Sequence, residues 1–170
     1  MKLLKNDSET VHYAENLIDI DECKYWISLS KKIPKHIRSQ YNYPSNELWD
    51  YRTVNITQSH IVGRVQKFLN EKFNFNLMID EAQIQNWIDG SFSPLHTHLD
   101  CPMRGKNKFN SILYLNDNFD GGDFYTKGNI SIKPKPGLLT MFDGNNIEHG
   151  VKQISNGDRY SIIFWWNLWP

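Results

Sequence analysis

The sequence is poor in cysteine, lacks a long apolar run and carries no excess of charge of either sign. Its two cysteines among 170 residues, Cys23 and Cys101, are too few for a disulfide framework, and we interpret both as reduced thiols. Residues 1–10 lack the apolar core of a signal peptide. The most apolar stretch, residues 160–169, is too short to span a bilayer as a helix. These absences predict a cytoplasmic protein that does not contact a membrane.

The charges of the chain are balanced. The 19 basic residues are matched by 19 acidic residues, so the formal net charge is zero. Phosphate recognition usually leaves a basic surplus, so this balance argues against nucleic acid as a partner. Internal repeats and low-complexity tracts are also absent. The length suits one domain, residues 1–170, that folds without disulfides, and the sequence leaves the oligomeric state open.

The N-terminal part of the chain, residues 1–77, has mixed character. A strand is predicted over residues 11–18. Either Asp19 or Asp21 can cap the helix that follows, and Glu22 stands three residues after Asp19, as in a capping box. A second helix is predicted over residues 58–73, where the apolar residues keep helical spacing. Between the two helices the sequence has no clear period, which indicates irregular structure up to residue 52.

The C-terminal part, residues 78–170, consists of short apolar segments separated by turn residues such as glycine, asparagine and aspartate. Strands are predicted over residues 82–88, 95–100, 111–115, 123–126, 130–133, 138–142, 150–153 and 160–167. Many short strands at regular spacing are typical of a sandwich or a closed barrel. We therefore predict an α+β chain that is mainly β, with N-terminal helices packed on a β-core.

The segment His98-Leu-Asp100 has the spacing of a metal-binding pair. Residues two apart on a strand point to the same face, so an imidazole and a carboxylate would be presented together. His149 is the best third ligand, and two histidines with one carboxylate form the facial triad of non-haem iron oxygenases. Taken alone, a His-x-Asp pair is more often a hydrogen-bonded pair on the surface.

Arg159 is the second residue whose surroundings indicate chemistry. It begins the last predicted strand, and Ser161, Ile163 and Trp165 share its face. A guanidinium in a dry pocket would bind a carboxylate through a two-pronged hydrogen bond. The alternative is an arginine at the edge of a strand, exposed to solvent.

Several short motifs together resemble the catalytic domain of prolyl 4-hydroxylase-type 2-oxoglutarate oxygenases, over roughly residues 82–167. They are His98-x-Asp100, Tyr114-Leu-Asn116, Gly121-Gly122, Pro136-Gly137, Phe142, His149-Gly150 and Arg159-Tyr-Ser161. The resemblance implies a double-stranded β-helix, or jelly roll. It also implies Fe(II), 2-oxoglutarate and O2 as cofactors, with ascorbate as reductant.

The resemblance implies roles for five residues. His98, Asp100 and His149 would bind iron, and Arg159 with Tyr114 would bind the distal carboxylate of 2-oxoglutarate.

Two tryptophans receive weaker interpretations. Trp87 lies where some relatives have a tyrosine near the cosubstrate, but an indole has only a donor N–H. Trp165 is expected to pack the pocket wall.

His96 and Cys101 flank the proposed ligands. His96 would share a strand face with His98, so it is a possible ligand. However, the residue two positions after His96 is His98 and not a carboxylate, so His96 does not begin a His-x-Asp pair. We favour a contact to the metal ligands or to the substrate over simple surface exposure. Cys101 follows a ligand directly, but a thiolate is too soft for this chemistry, and we interpret it as structural.

The predicted reaction is hydroxylation of a C–H bond, and its substrate is open. A prolyl residue in a peptide or protein is the default of the family. A free amino acid or another small molecule is the alternative, because the chain is short. Base-repair relatives typically carry a second arginine six residues after the first, and here that position is Trp165. A non-catalytic jelly-roll binding module is a further alternative, although neither the triad nor the arginine is broken.

Residues 39–52 contain aromatic side chains in a polar context. Tyr41, Tyr43 and Trp49 either pad the junction between the helices and the β-core or form a mobile lid over the iron that grips substrate. The sequence supports both interpretations equally.

Overall fold

The computed structural model describes residues 2–5, 9–32, 38–42, 48–99 and 107–169, with no description of the side chains of residues 38–42 and 48–52. The helices of these residues are α1 Ile20–Lys31 and α2 His60–Phe73. The strands are β1 Lys2–Lys5, β2 Thr10–Ala14, β3 Arg38–Asn42, β4 Leu48–Asn55, β5 Leu77–Trp87, β6 Ser93–His96, β7 Phe109–Tyr114, β8 Asp120–Gly121, β9 Phe124–Thr126, β10 Ser131–Ile132, β11 Leu139–Phe142, β12 His149–Val151, β13 Ile154–Ser155 and β14 Arg159–Leu168.

Two sheets form the body of the molecule. The larger has the strand order β1-β2-β11-β7-β14-β5-β4-β3, and the smaller has the order β10-β9-β12-β6. Every strand pair in these sheets is antiparallel. A short pair, β13 with β8, lies apart from both. This arrangement confirms the predicted mainly β class and places the predicted strands of the C-terminal part in two facing layers.

The layer between the two sheets is apolar. Its buried residues come from both sheets and from the loops that join them: Val11, Ile112, Tyr114, Phe124, Ile130, Ile132, Leu138, Phe142 and Ile147. Burial of such side chains stabilises the fold by about 1.5–3 kcal/mol each. The layer therefore holds the smaller sheet against the larger one.

The helices cover the opposite face of the larger sheet. Of the apolar positions of α2 that keep helical spacing, Ile61, Val62, Val65 and Leu69 are buried, and Phe68 is partly buried against the same apolar cluster. The backbone N–H of Glu22 donates to the Asp19 side chain over 2.8 Å, so the predicted cap of α1 is present. Neither helix of the described part has the length and apolarity that a membrane crossing needs.

Cys23 lies on the buried face of α1 with 1% of its surface exposed. Burial raises the pKa of its thiol to about 11. It is a free cysteine among the described residues, and Cys101 lies outside them.

Alternate side chains of strand β14 face the two apolar layers on either side of the larger sheet. Tyr160, Ile162, Phe164 and Trp166 pack with the helices, so the residues between them face the interior between the sheets. Those residues are Arg159, Ser161, Ile163 and Trp165, as predicted from the sequence. The interior face thus receives one cation among apolar and small groups.

Two predictions about secondary structure are wrong. The strand predicted over residues 95–100 ends at His96, because the backbone N–H of His98 turns away from the ladder and donates to the carbonyl of Gly144. The segment predicted to be irregular up to residue 52 contains β3 and β4, which form a hairpin paired to β5. An edge hairpin held by backbone hydrogen bonds does not need an apolar period, so the sequence does not indicate it.

Candidate active site

Three histidines come together where the smaller sheet meets the loop after β6. His149 on β12 is the register partner of His96 on β6, and His98 follows two residues after His96. One ring nitrogen of each lies within 4.8 Å of the others. His98 and His149 are 9% and 6% exposed, and His96 is half-buried. This histidine cluster is the group of potential metal ligands among the described residues.

Backbone carbonyls orient two of the imidazoles. His149 Nδ1 lies 2.8 Å from the carbonyl oxygen of Ile147, and His96 Nδ1 lies 3.0 Å from that of Pro94. A carbonyl only accepts, so we assign the proton to Nδ1 in both rings. The lone pair of each ring is then on Nε2, as in a histidine that binds a metal through that nitrogen.

Burial keeps these imidazoles neutral. It lowers the pKa of His149 well below its usual value, and the neighbouring rings of His96 and His98 lower it further. Burial also lowers the pKa of His96. A neutral imidazole is the form that binds a metal ion, so no proton has to leave these two rings near neutral pH.

Apolar rings fix the position of His149. Its ring centroid lies 4.6 Å from that of Phe142 and 5.8 Å from that of Phe124. Both phenylalanines belong to the layer between the sheets. His149 is therefore packed against the apolar layer between the sheets.

The loop that follows β11 completes the cluster, and its sequence explains its shape. The side chain of Asp143 accepts hydrogen bonds from the backbone N–H groups of Asn145 and Asn146, which folds the loop into a tight turn. The same loop offers the carbonyl of Gly144 to the backbone of His98 and that of Ile147 to His149. One turn thus orients two of the three histidines.

A side chain at position 144 would collide with the histidine cluster, and glycine avoids this collision. A Cβ at this position would lie 2.2 Å from Asn110 Oδ1 and 2.8 Å from His98 Nδ1. We expect Gly144→Ala to displace His98 and to weaken binding of a divalent metal by about 10–100-fold, the loss typical of disturbed support around a ligand. Titration with Co²⁺, followed by visible absorption, measures the effect.

Gly63→Ala is the matched control for this prediction. Gly63 is exposed on α2, and a Cβ there meets no atom within 4 Å. The control should leave metal affinity unchanged and raise the free energy of unfolding by up to about 1 kcal/mol. Equal metal affinity in Gly144→Ala and the parent would contradict the proposed packing of His98.

Arg159 is buried in the interior, with 1% of its surface exposed. The solvent-exposed alternative is therefore wrong. Its Nη1 donates to the hydroxyl of Ser161 over 3.4 Å, while Nε and Nη2 have no hydrogen-bond partner among the described residues. Burial lowers the pKa of its guanidinium. A buried cation with two unused donors is adapted to receive an anion.

Tyr114 lies beside this guanidinium. Its ring centroid is 5.1 Å from Arg159 Cζ, and its fully buried hydroxyl also has no partner in the part of the chain that the structure describes. Burial raises the pKa of the Tyr114 hydroxyl, and the charge of Arg159 opposes that shift. The hydroxyl therefore stays protonated at neutral pH and can donate beside the guanidinium.

The two tryptophans line the same interior. Trp87 is the register partner of Arg159, and its indole N–H donates to Gln85 Oε1 over 3.1 Å, so that donor is already used. Trp165 is 6% exposed on the Arg159 face of β14. Both positions fit packing of the pocket wall, as the sequence predicts for Trp165.

The structure brings together most of the residues that the sequence singles out. His96, His98 and His149 form one group, and Arg159 with Tyr114 forms another, joined to it through the phenylalanines of the interior layer. Asp100 and Tyr43 lie outside the described residues, and Tyr41 and Trp49 are described only as backbone in β3 and β4.

Sequence reasoning missed Asn110. This residue of β7 is fully buried, and neither atom of its amide has a hydrogen-bond partner among the described residues. It lies beside His98 across Gly144. A lone asparagine inside an apolar strand carries no motif, so only a buried polar residue in an otherwise apolar segment could have indicated it.

Comparison with known proteins agrees with this geometry. Residues 82–167 match the family model described as the 2OG-Fe(II) oxygenase superfamily. Prolyl 3-hydroxylase 2 of Mus musculus is 26% identical over 166 residues, which cover 92% of this chain and 22% of that protein. The chain thus spans about a fifth of the length of this curated relative.

Two solved structures show the same fold. One is a prolyl hydroxylase from Trichoplax adhaerens in complex with a peptide fragment of the hypoxia inducible factor oxygen degradation domain, with a TM-score of 0.72, 16% identity and coverage of 92% of this chain and 82% of that one. The other is HygX from Streptomyces hygroscopicus with nickel, 2-oxoglutarate and hygromycin B, with a TM-score of 0.69, 14% identity and coverage of 95% and 84%. These likenesses confirm the predicted jelly roll.

Proposed function

The chain belongs to the 2OG-Fe(II) oxygenase superfamily, and on that premise we propose that it hydroxylates a C–H bond of a prolyl residue in a peptide or protein. Enzymes of this superfamily are oxidoreductases that use Fe(II), 2-oxoglutarate and O2. The observation that carries the proposal is the buried guanidinium of Arg159, with two donors unused among the described residues, in the interior that also holds the histidine cluster.

We assign His98, Asp100 and His149 as the iron ligands. The two histidines fit the metal because they are buried, and burial keeps His149 neutral. Asp100 is assigned from its place two residues after His98, since it lies outside the described residues. When bound, the iron supplies O2 activation coupled to the oxidative decarboxylation of 2-oxoglutarate to succinate and CO2.

We assign Arg159 and Tyr114 to the distal carboxylate of 2-oxoglutarate. An unpaired buried cation costs several kcal/mol, and a bound carboxylate offsets that cost with charge-assisted hydrogen bonds. The Tyr114 hydroxyl is placed to add one more donor. The apolar residues around them exclude water, which strengthens these contacts.

The choice of a prolyl substrate is supported by the relatives. The curated relative is named a prolyl 3-hydroxylase, and one of the two structures is a prolyl hydroxylase with a bound peptide. A small molecule is the second candidate, because HygX shares the fold and was solved with hygromycin B. A non-catalytic binding module is disfavoured, since the chain belongs to a family of oxygenases and keeps a buried arginine whose Nε and Nη2 are unused within the described part of the chain.

Mass spectrometry tests the substrate. Proline-containing peptides and matched peptides with alanine at that position would be incubated with the protein, Fe(II), 2-oxoglutarate, O2 and ascorbate. We expect a gain of one oxygen on the proline-containing peptides only, with one succinate formed per oxygen gained. Oxygen gain on the alanine peptides, or on free amino acids instead of peptides, would contradict a prolyl-peptide substrate.

A further inference from the structure

The histidine cluster contains one imidazole more than the assigned iron triad uses. We propose that His96, His98 and His149 form a three-histidine site for a late first-row divalent cation, above all Zn²⁺, and that this site does not require Asp100. This proposal depends on the proposed function only in that the iron triad and the three-histidine site share one histidine cluster.

The spacing of the rings fits a common ion. A Zn–N bond of about 2.0–2.1 Å and a ring nitrogen roughly 1.2 Å from the ring centroid place the ion roughly 3.2 Å from each centroid. Ligand angles between octahedral and tetrahedral then separate the centroids by roughly 4.5–5.2 Å. The observed separation of His98 and His149, 4.9 Å, lies within this range, whereas 4.4 Å for His96 and His149 lies just below it and 5.4 Å for His96 and His98 just above it. Small shifts of the His96 ring would bring all three imidazoles to one ion.

His96 is oriented by the same device as His149. Each ring places Nδ1 within 3.0 Å of a backbone carbonyl two residues before it, Pro94 in one case and Ile147 in the other. The hydroxyl of Ser93 lies a further 3.3 Å from His96 Nδ1. Because the two histidines are register partners on neighbouring strands, the pairing of β6 with β12 holds both rings side by side.

The chemistry of the donors selects the ion. Three imidazole nitrogens and a water complete a tetrahedral zinc site of the kind found in zinc enzymes. Affinity of a given site rises from manganese and iron to the later first-row divalent metals, and imidazole is a ligand that suits zinc. A carboxylate adds charge to such a site but is not needed to hold the ion. Zn²⁺ at this site would therefore compete with Fe(II) at this chain's own catalytic centre.

The test measures metal affinity and not turnover. Zn²⁺ binding would be followed by competition with a chromophoric chelator, without 2-oxoglutarate, for the parent, Asp100→Ala, His96→Ala and the double variant. We expect Asp100→Ala to keep binding Zn²⁺. Adding His96→Ala to it should lower the affinity by at least about tenfold, because loss of a direct ligand exceeds the smallest losses seen for its supporting contacts.

A spectroscopic readout and a matched control complete the design. Co²⁺ bound to Asp100→Ala should lose intensity in its visible bands when His96 is also removed, since the coordination sphere changes. His60→Ala in the same background is the control, because His60 is an exposed histidine on α2 and its removal should change nothing. Near-ultraviolet circular dichroism of each variant reports whether the fold is retained.

The outcomes separate this proposal from the proposed function. Equal Zn²⁺ affinity with and without His96 in the Asp100→Ala background would overturn the three-histidine site and leave the assigned iron triad standing. If the parent binds Zn²⁺ and Asp100→Ala does not, the three-histidine site is likewise overturned. A parent protein that binds neither Zn²⁺ nor Fe(II) would overturn both.

Discussion

Arg159→Met is expected to weaken 2-oxoglutarate binding by at least about 25-fold while the ligand-free protein unfolds with the same or a higher free energy. Truncating one partner of a buried charge pair costs about 2–5 kcal/mol, and each 1.4 kcal/mol is about tenfold in affinity. In the ligand-free protein the guanidinium lowers the free energy of unfolding, because it is buried with Nε and Nη2 unused among the described residues. Replacing a buried unpaired cation by an apolar group of similar size is neutral or stabilising.

Thermal unfolding of the metal-loaded protein with and without 2-oxoglutarate measures both effects. A ligand at 100 times its Kd stabilises the folded state by about 2.7 kcal/mol. At that concentration the parent should gain this stabilisation, and Arg159→Met, which binds at least about 25-fold more weakly, should gain no more than about 1 kcal/mol. A direct titration by calorimetry gives the affinities themselves.

Two further substitutions should weaken 2-oxoglutarate binding by less than Arg159→Met does. Arg159→Lys keeps the charge but loses the planar fork, so it should bind 2-oxoglutarate between the parent and Arg159→Met. Tyr114→Phe removes one hydrogen bond to a charged group, worth about 1.5–3 kcal/mol, and should weaken binding less than Arg159→Met. If Arg159→Met binds 2-oxoglutarate as the parent does, or unfolds several kcal/mol more easily without it, Arg159 has a structural role and the cosubstrate assignment is wrong.

His149→Ala is expected to abolish hydroxylation and to lower the affinity for divalent metals by at least about 100-fold. His149 belongs both to the assigned iron triad and to the three-histidine site, so its removal leaves neither set complete. Disturbing only the support around a ligand already costs about 10–100-fold in affinity, and loss of the ligand itself exceeds that. Turnover is lost with the metal because O2 activation depends on it.

Retained folding must be shown for this variant, because the His149 ring packs against Phe142 and Phe124. His149→Gln keeps most of the side-chain volume and should show the same loss of metal with less loss of stability. His60→Ala removes an exposed histidine far along the chain on α2 and should bind metal as the parent does. Metal affinity in His149→Gln equal to that of the parent would refute the assignment of His149.

Strong local patterns made much of the fold predictable. The cap of α1 is a short-range hydrogen bond between Asp19 and Glu22, and the helical spacing of α2 predicts four residues that are buried and one, Phe68, that is partly buried. Turn residues between short apolar segments likewise marked most strands of the C-terminal part. The edge hairpin of β3 and β4 escaped prediction because its pairing with β5 uses backbone groups, which every residue possesses.

The residues of the candidate site were predictable in kind but not in arrangement. His98, His149 and Arg159 stood out because their side chains carry chemistry and their spacing resembles a known family. The argument that presented His98 and Asp100 together assumed a strand over residues 95–100, and that assumption is wrong because β6 ends at His96. The position of His98 instead depends on the carbonyl of Gly144, from a loop 46 residues away along the chain.

The sequence by itself determined the chemical identity of the donors, the alternation of β14 and the mainly β class, because these follow from side-chain type and short-range periodicity. Only the tertiary structure decided that Arg159 is buried with donors unused by any described residue, that Gly144 leaves room for Asn110 and His98, and that His96 joins the other two histidines. The physical reason is that burial and ring-to-ring distance arise from contacts between strands distant in sequence. No local pattern encodes such contacts, and the pairing of β6 with β12 brings His96 to His149 across 53 residues.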